Sequence, residues 1–139
     1  MDLVESISRA FEAAGHPDVV SVYLFGSHAE GRAHRESDVD IGVLFDHAAR
    51  PTRKARFDRS LKLAADLPAA SSSECIDVVV LNDAPPLFGR RIVTEGVRLY
   101  CSNSEADHAY VRDIQLRAAD LQPFLERMRR IKLEALAPR

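Results

Sequence analysis

The chain has 139 residues, 46% of them apolar and 29% charged, and its net charge is −2. That length fits one compact domain, and the apolar share excludes a disordered protein. The near-neutral charge excludes nucleic-acid binding by bulk positive charge, and no stretch reaches the roughly 18 consecutive apolar residues of a membrane span.

Leu3, Val4, Ile7, Ala10, Phe11 and Ala14 recur at helical spacing, and Gly15-His16-Pro17 ends that helix. Its opening lacks the basic-then-apolar order of a signal peptide, so a cytoplasmic protein is expected. Val19 to Phe25 is β-branched and aromatic and stops at Gly26, the pattern of a strand. Ser27 to Ser37 is polar and small, a turn with room for one helical turn. Val39 to Phe45 reads as a second strand, with Asp38 and Asp40 on one side and Val39, Ile41 and Val43 on the other.

Pro51 suits the start of a second helix, in which Phe57, Leu61, Ala64 and Ala65 form the expected buried stripe. Arg53, Lys54, Arg56, Arg59 and Lys62 are assigned to its solvated side, with triphosphate binding as the alternative. Pro68 to Ser73 reads as a loop, and Ile76 to Leu81 as a third strand carrying Asp77. After Pro85-Pro86 a short helix is expected over 87–95, then an edge strand over Val97 to Cys101. The two cysteines, Cys75 and Cys101, share no metal-ligand spacing. From Ser104 onward Val111, Ile114, Ala118, Leu121, Leu125 and Met128 follow a helical seam, read as intramolecular core or else as an interface. Pro123 predicts a kink or two abutting helices. The expected class is α/β (α+β), with 1–103 as the main domain and 104–139 as a helical tail packed on it.

The chemistry concentrates between Gly26 and Asp77. Carboxylates at i and i+2 of a strand share a face, where their repulsion is costly unless a cation lies between them. Magnesium takes hard oxygen ligands and keeps positions for substrate phosphates. If the third strand lies beside the second, Asp77 joins Asp38 and Asp40 as a third carboxylate. Three acids around two metal ions suit in-line attack on an α-phosphate, with Asp77 placed to accept a proton. The plain alternative has Asp38 capping a turn, Asp40 facing solvent and Asp77 on an edge strand.

Gly26 follows an apolar strand and Ser27 precedes a polar segment. Glycine lets a ligand approach the backbone, and serine donates from hydroxyl and amide. His28 and His34 are loop residues near phosphate rather than ligands, since magnesium prefers oxygen. A Gly-Ser turn followed after ten residues by Asp-x-Asp on a strand is far more specific than either part alone.

That ensemble, Gly26-Ser27 with Gly31, Ser37 and Asp38-Val39-Asp40, resembles the DNA polymerase β-like nucleotidyltransferase superfamily. Asp77 falls where that family's third catalytic carboxylate lies. The short chain is similar to the minimal nucleotidyltransferases, the MNT proteins, and to their MntA-type antitoxins, whose module partner is a HEPN-family RNase toxin. The resemblance covers roughly Val19 to Leu81 by motif, and the rest by length and helix pattern. It implies a polymerase β-like core with a small mixed sheet flanked by helices and a helical tail. It implies transfer of AMP from ATP, with two magnesium ions, to a tyrosine of the toxin. Asp38, Asp40 and Asp77 would be the catalytic and metal residues, and Gly26 and Ser27 the nucleotide-binding ones. Two other readings stand beside it. One is an antitoxin acting by stoichiometric binding; the other is an enzyme on a small molecule, which lacks the extra acceptor-holding domain of the aminoglycoside-modifying relatives. Neither a membrane nor direct nucleic-acid binding is expected.

Overall fold

The computed structural model describes residues 3–26, 29, 39–71 and 75–137. In chain order it contains α1 (Leu3–Ala14), β1 (Val19–Phe25), β2 (Val39–Phe45), α2 (Arg53–Ser71), β3 (Ile76–Val80), a 3-10 turn (Leu81–Asp83), α3 (Pro86–Glu95), β4 (Val97–Cys101) and α4 (Ser104–Leu136). The strands form one mixed sheet in the order β3-β2-β1-β4. Strand β1 is antiparallel to β2 and β4, whereas β2 and β3 run parallel. A parallel pair needs a long crossover, and α2 supplies it.

The sheet is covered on both faces. On one, Val22, Leu24, Val39, Ile41, Val43 and Phe45 pack with Ile7 and Phe11 of α1 and Leu63 and Leu67 of α2. On the other, Val20, Tyr23 and Leu44 pack with Leu81 and with Ile92 of α3, and Ala106 and Tyr110 of α4 close over them. Burying one such side chain stabilises the fold by about 1.5–3 kcal/mol. The alternation expected along β2 holds, because Val39, Ile41 and Val43 all enter the α1/α2 face.

Helix α2 departs from expectation in two ways. Phe57 and Leu61 are 56% and 55% exposed, and the inward stripe is Arg56, Ser60, Leu63 and Leu67. Arg56 turns inward because Asp83 meets it in a two-point contact, at 3.0 Å from Nε and 2.8 Å from Nη2, while its Nη1 donates to the Arg50 carbonyl. A buried guanidinium is tolerable when its donors are met in this way. The helix also continues through Pro68 to Ser71, in place of the expected loop. Proline removes one hydrogen bond from the ladder, but Leu63 and Leu67 hold the preceding turns against the core.

Helix α4 runs unbroken past Pro123 rather than dividing there. Asn103 caps it by accepting from the Ala106 amide. Its first half is anchored: Asp107, Ile114 and Ala118 are buried. Beyond Ala118 the seam leaves the core, with Leu121, Leu125 and Met128 at 37%, 41% and 49% exposure. The periodicity continues, but from Ala119 onward every described residue of the helix is exposed, and α3 reaches it there through the Arg90–Gln122 hydrogen bond at 3.3 Å.

Candidate active site

Three of the five residues singled out from the sequence lie at one end of the sheet. Asp40 is the Cα partner of Phe25 on β1 and of Asp77 on β3. In-register partners on adjacent strands point to the same face, with strands about 4.8 Å apart. That face is the α3 side. A Cβ on Gly42 would meet Ile92 and Leu81 at 3.0 and 3.1 Å, and Asp40 lies two residues before Gly42 on the same side. Val79, two residues after Asp77, packs with the same cluster. On this face Asp40 is half-buried and Asp77 exposed.

Gly26 completes the constellation. Its φ is +78°, and a Cβ there would stand 2.7 Å from Asp40 Oδ2. Only glycine combines that backbone conformation with so close a carboxylate. Ser27, Asp38, His28 and His34, with Gly31 and Ser37, lie outside the described residues. Among the described residues no group of three His, Cys, Asp or Glu side chains gathers as a metal site. Asp40 and Asp77 make a pair, and its all-oxygen donor set suits a hard divalent cation.

Two small cavities share Phe88 in their lining. One, about 180 Å³, adjoins the Gly26 turn and is lined by Phe25, Gly26, Phe88, Arg91, Ile92 and Glu95. There Phe25 and Phe88 meet edge to face, centroids 5.7 Å apart. The other, about 250 Å³, lies against β3 between α2 and α3. Sequence reasoning does not single out Phe57, Phe88 or Arg91 as site residues. The signal available is weak: an aromatic on a short helix, and one whose place on α2 reads as core.

Arg59 of α2 and Arg50 ahead of it gather at the other end of β1. Arg59 Nε and Arg50 Nε reach Asp18 Oδ2 at 2.8 and 3.0 Å, and Arg59 Nη2 lies 2.8 Å from His16 Nδ1. Burial opposes the charge on Asp18, but the hydrogen bonds from Arg59 and Arg50 outweigh it and hold its carboxyl below the usual range. Asp18 precedes β1 and Gly26 follows it, so the two clusters stand roughly 25 Å apart along the strand. Asp18 takes Arg50 and Arg59 and Asp83 takes Arg56, so these three arginines are already engaged by carboxylates other than Asp40 and Asp77.

Comparison with known proteins follows the same lines. The sequence profile of the family described as polymerase beta, nucleotidyltransferase matches residues 5–105. The protein adenylyltransferase MntA of Shewanella oneidensis is 32% identical over 100 residues, covering 72% of this chain and 67% of the relative. A crystal structure of a toxin–antitoxin with AMP-PNP superposes with a TM-score of 0.66 at 29% identity, over 96% of this chain and 98% of that one. A tri-AMPylated Shewanella oneidensis HEPN toxin in complex with MNT antitoxin gives a TM-score of 0.63 at 26% identity, over 97% of each chain.

Proposed function

Because the chain belongs to the polymerase β nucleotidyltransferase family, we propose that it transfers AMP from ATP to a tyrosine of a cognate HEPN-family RNase toxin and so neutralises it. The observation that carries this reading is the placement of Asp40 between the bare Cα of Gly26 and the in-register Asp77. A phosphate-accepting turn and paired carboxylates at one sheet end are what nucleotidyl transfer needs. The likeness to a protein adenylyltransferase and to structures of HEPN toxin with MNT antitoxin supports a protein acceptor. Residues 1–103 would form the nucleotidyltransferase unit and 104–139 a tail of the same domain.

In this reading Gly26 and Ser27 receive the triphosphate through backbone and hydroxyl donors. Asp38, Asp40 and Asp77 would hold two magnesium ions, a use to which their hard oxygen donors are suited. Bound magnesium supplies Lewis-acid polarisation of the phosphate and lowers the pKa of the attacking hydroxyl. The tyrosine phenolic oxygen forms a bond to the α-phosphorus, and the bond to the bridging oxygen of the β-phosphate breaks. Pyrophosphate departs with that electron pair, and the phenolic proton passes to a carboxylate oxygen of Asp77.

Stoichiometric binding is the second reading, favoured by one observation: the apolar residues Phe124, Met128, Ile131 and Leu133 of α4 are all about half exposed or more. Transfer of label from α-labelled ATP, with magnesium, to the protein encoded by the neighbouring gene separates the two. Label that is lost in the Asp38→Ala, Asp40→Ala double variant establishes adenylyl transfer. A stable, neutralised complex that carries no label establishes inhibition by contact.

A further inference from the structure

We infer that the acceptor tyrosine docks in the cavity between α2, β3 and α3, with Phe57 and Phe88 as its walls, an inference that rests on the adenylyl-transfer reading above. The order of groups across the sheet carries it. The Gly26 turn ends β1, Asp40 sits on β2, and Asp77 sits on β3, so the three stand side by side at strand spacing. In-line displacement puts the attacking oxygen and the leaving group on opposite sides of the α-phosphorus. With the triphosphate held at the β1 end, pyrophosphate leaves on the Gly26 side. The attacking oxygen therefore enters from the β3 side.

A cavity waits on that side. It is lined along β3 by Val78, Val79 and Val80, the residues directly after Asp77, and closed by Arg53 and Phe57 of α2 and Phe88 of α3. At about 250 Å³ it is smaller than the roughly 300–1,000 Å³ of sites for whole small molecules, and it fits a single aromatic ring. Phe57 and Phe88 are 56% and 39% exposed, so both present ring surface to an incoming aromatic side chain. The floor is rigid, because Asp83 beneath it is tied to Arg56 by two hydrogen bonds. Among the described residues, strand β3 is also an edge of the sheet.

A phenol seated there would point its oxygen along β3 toward Asp77, the carboxylate assigned to take its proton. The second cavity, beside Gly26, lies on the leaving-group side and is left to the nucleotide.

The test is steady-state labelling of the protein encoded by the neighbouring gene, as the cognate toxin, with α-labelled ATP and magnesium, comparing wild type with Phe57→Ala and Phe57→Leu. Phe57 is more than half exposed, so both variants keep the fold, and a thermal melt checks this. The expected result is a toxin KM raised by about tenfold in Phe57→Ala and partly restored in Phe57→Leu, with the ATP KM within about twofold of wild type. A toxin KM unchanged in both variants overturns the docking site while leaving adenylyl transfer intact. A rise in the ATP KM instead overturns it in favour of the nucleotide as occupant, and loss of self-association in Phe57→Ala overturns it in favour of a second copy of this chain. No label from wild type removes the function and the docking site together.

Discussion

Gly26 and Asp40 touch across the end of the sheet: a Cβ on the glycine would lie 2.7 Å from the aspartate Oδ2. The contact joins two sequence features fourteen residues apart into one site. It also makes Gly26→Ala a sharp probe, because the substitution meets both a backbone at φ +78° and a carboxylate in its path. The backbone strain alone costs about 1–3 kcal/mol. Displacing Asp40 should lower AMP transfer by about 100-fold, since positioning errors near 1 Å are that costly. Labelling rates alongside a melt of the same preparation check both effects.

Asp40 and Asp77 face each other in register, and like charges opposite one another on a sheet destabilise it. Neutralising one should therefore leave the metal-free protein no less stable. Asp77→Asn is expected to melt at or above the wild-type temperature in EDTA, to gain less on adding magnesium, and to lose AMP transfer by about 100-fold or more. A lower melting temperature in EDTA would contradict the repulsion. EDTA itself should arrest wild-type transfer.

Helix α4 is fastened at Asp107. This carboxylate is 1% exposed, accepts the Tyr23 hydroxyl at 2.8 and 3.0 Å, and accepts from Arg98 Nη1 at 3.0 Å. Burial, and then the bond to Asp107, push the Tyr23 phenol up, so it stays a donor. Asp107→Ala strands a buried hydroxyl and should cost about 1–3 kcal/mol. Arg98 is nearly half exposed, so its share is small. Tyr23→Phe should cost less than Asp107→Ala, because the carboxylate keeps Arg98. Urea denaturation of the two variants gives the order.

Acid should loosen the opposite end of the sheet in two stages. Burial, and then the Arg59 charge, hold the His16 pKa below 6.5, and the arginine hydrogen bonds hold Asp18 below 3.8 against its burial. In both cases the unfolded chain binds the proton more readily, so stability is present above the unfolded pKa and is lost as pH falls. The His16 contribution fades below pH 6.5 and that of Asp18 below pH 3.8. His16→Gln should remove the first loss and keep the second, which urea midpoints at several pH values would reveal.

From Ala119 to Ala137 every residue of α4 and its cap is exposed. A chain ending at Asp120 should therefore melt within a few degrees of the full-length protein, since exposed positions contribute little to stability. A large drop would mean that this half of the helix is covered in solution.

Much of the site is legible in the amino-acid order. Strands β1 and β2 are marked by β-branched runs and by the glycine that ends the first, and period-two alternation puts Asp40 opposite Val39 and Ile41. Asp77 is recognisable as an acid on a similar run, but only strand pairing could set it beside Asp40. Backbone hydrogen bonds and side-chain alternation are local, so short windows of sequence express them.

What the sequence could not express was the choice between equivalent faces. On α2, the stripe through Phe57 and Leu61 and the stripe through Arg56, Ser60, Leu63 and Leu67 differ by one residue, about 100° around the helix. Asp83, twenty-seven positions after Arg56, decided between them by offering a buried guanidinium its partner. On α4 the apolar period runs evenly through Ala118, yet Ala118 is the last residue of the helix that is buried. By itself the sequence marked the strands and most of the helices, and it picked out the candidate residues Gly26, Asp40 and Asp77 that the sheet brings to one end. Tertiary structure alone decided which helical face was buried and where burial stopped, because those depend on partners distant along the chain.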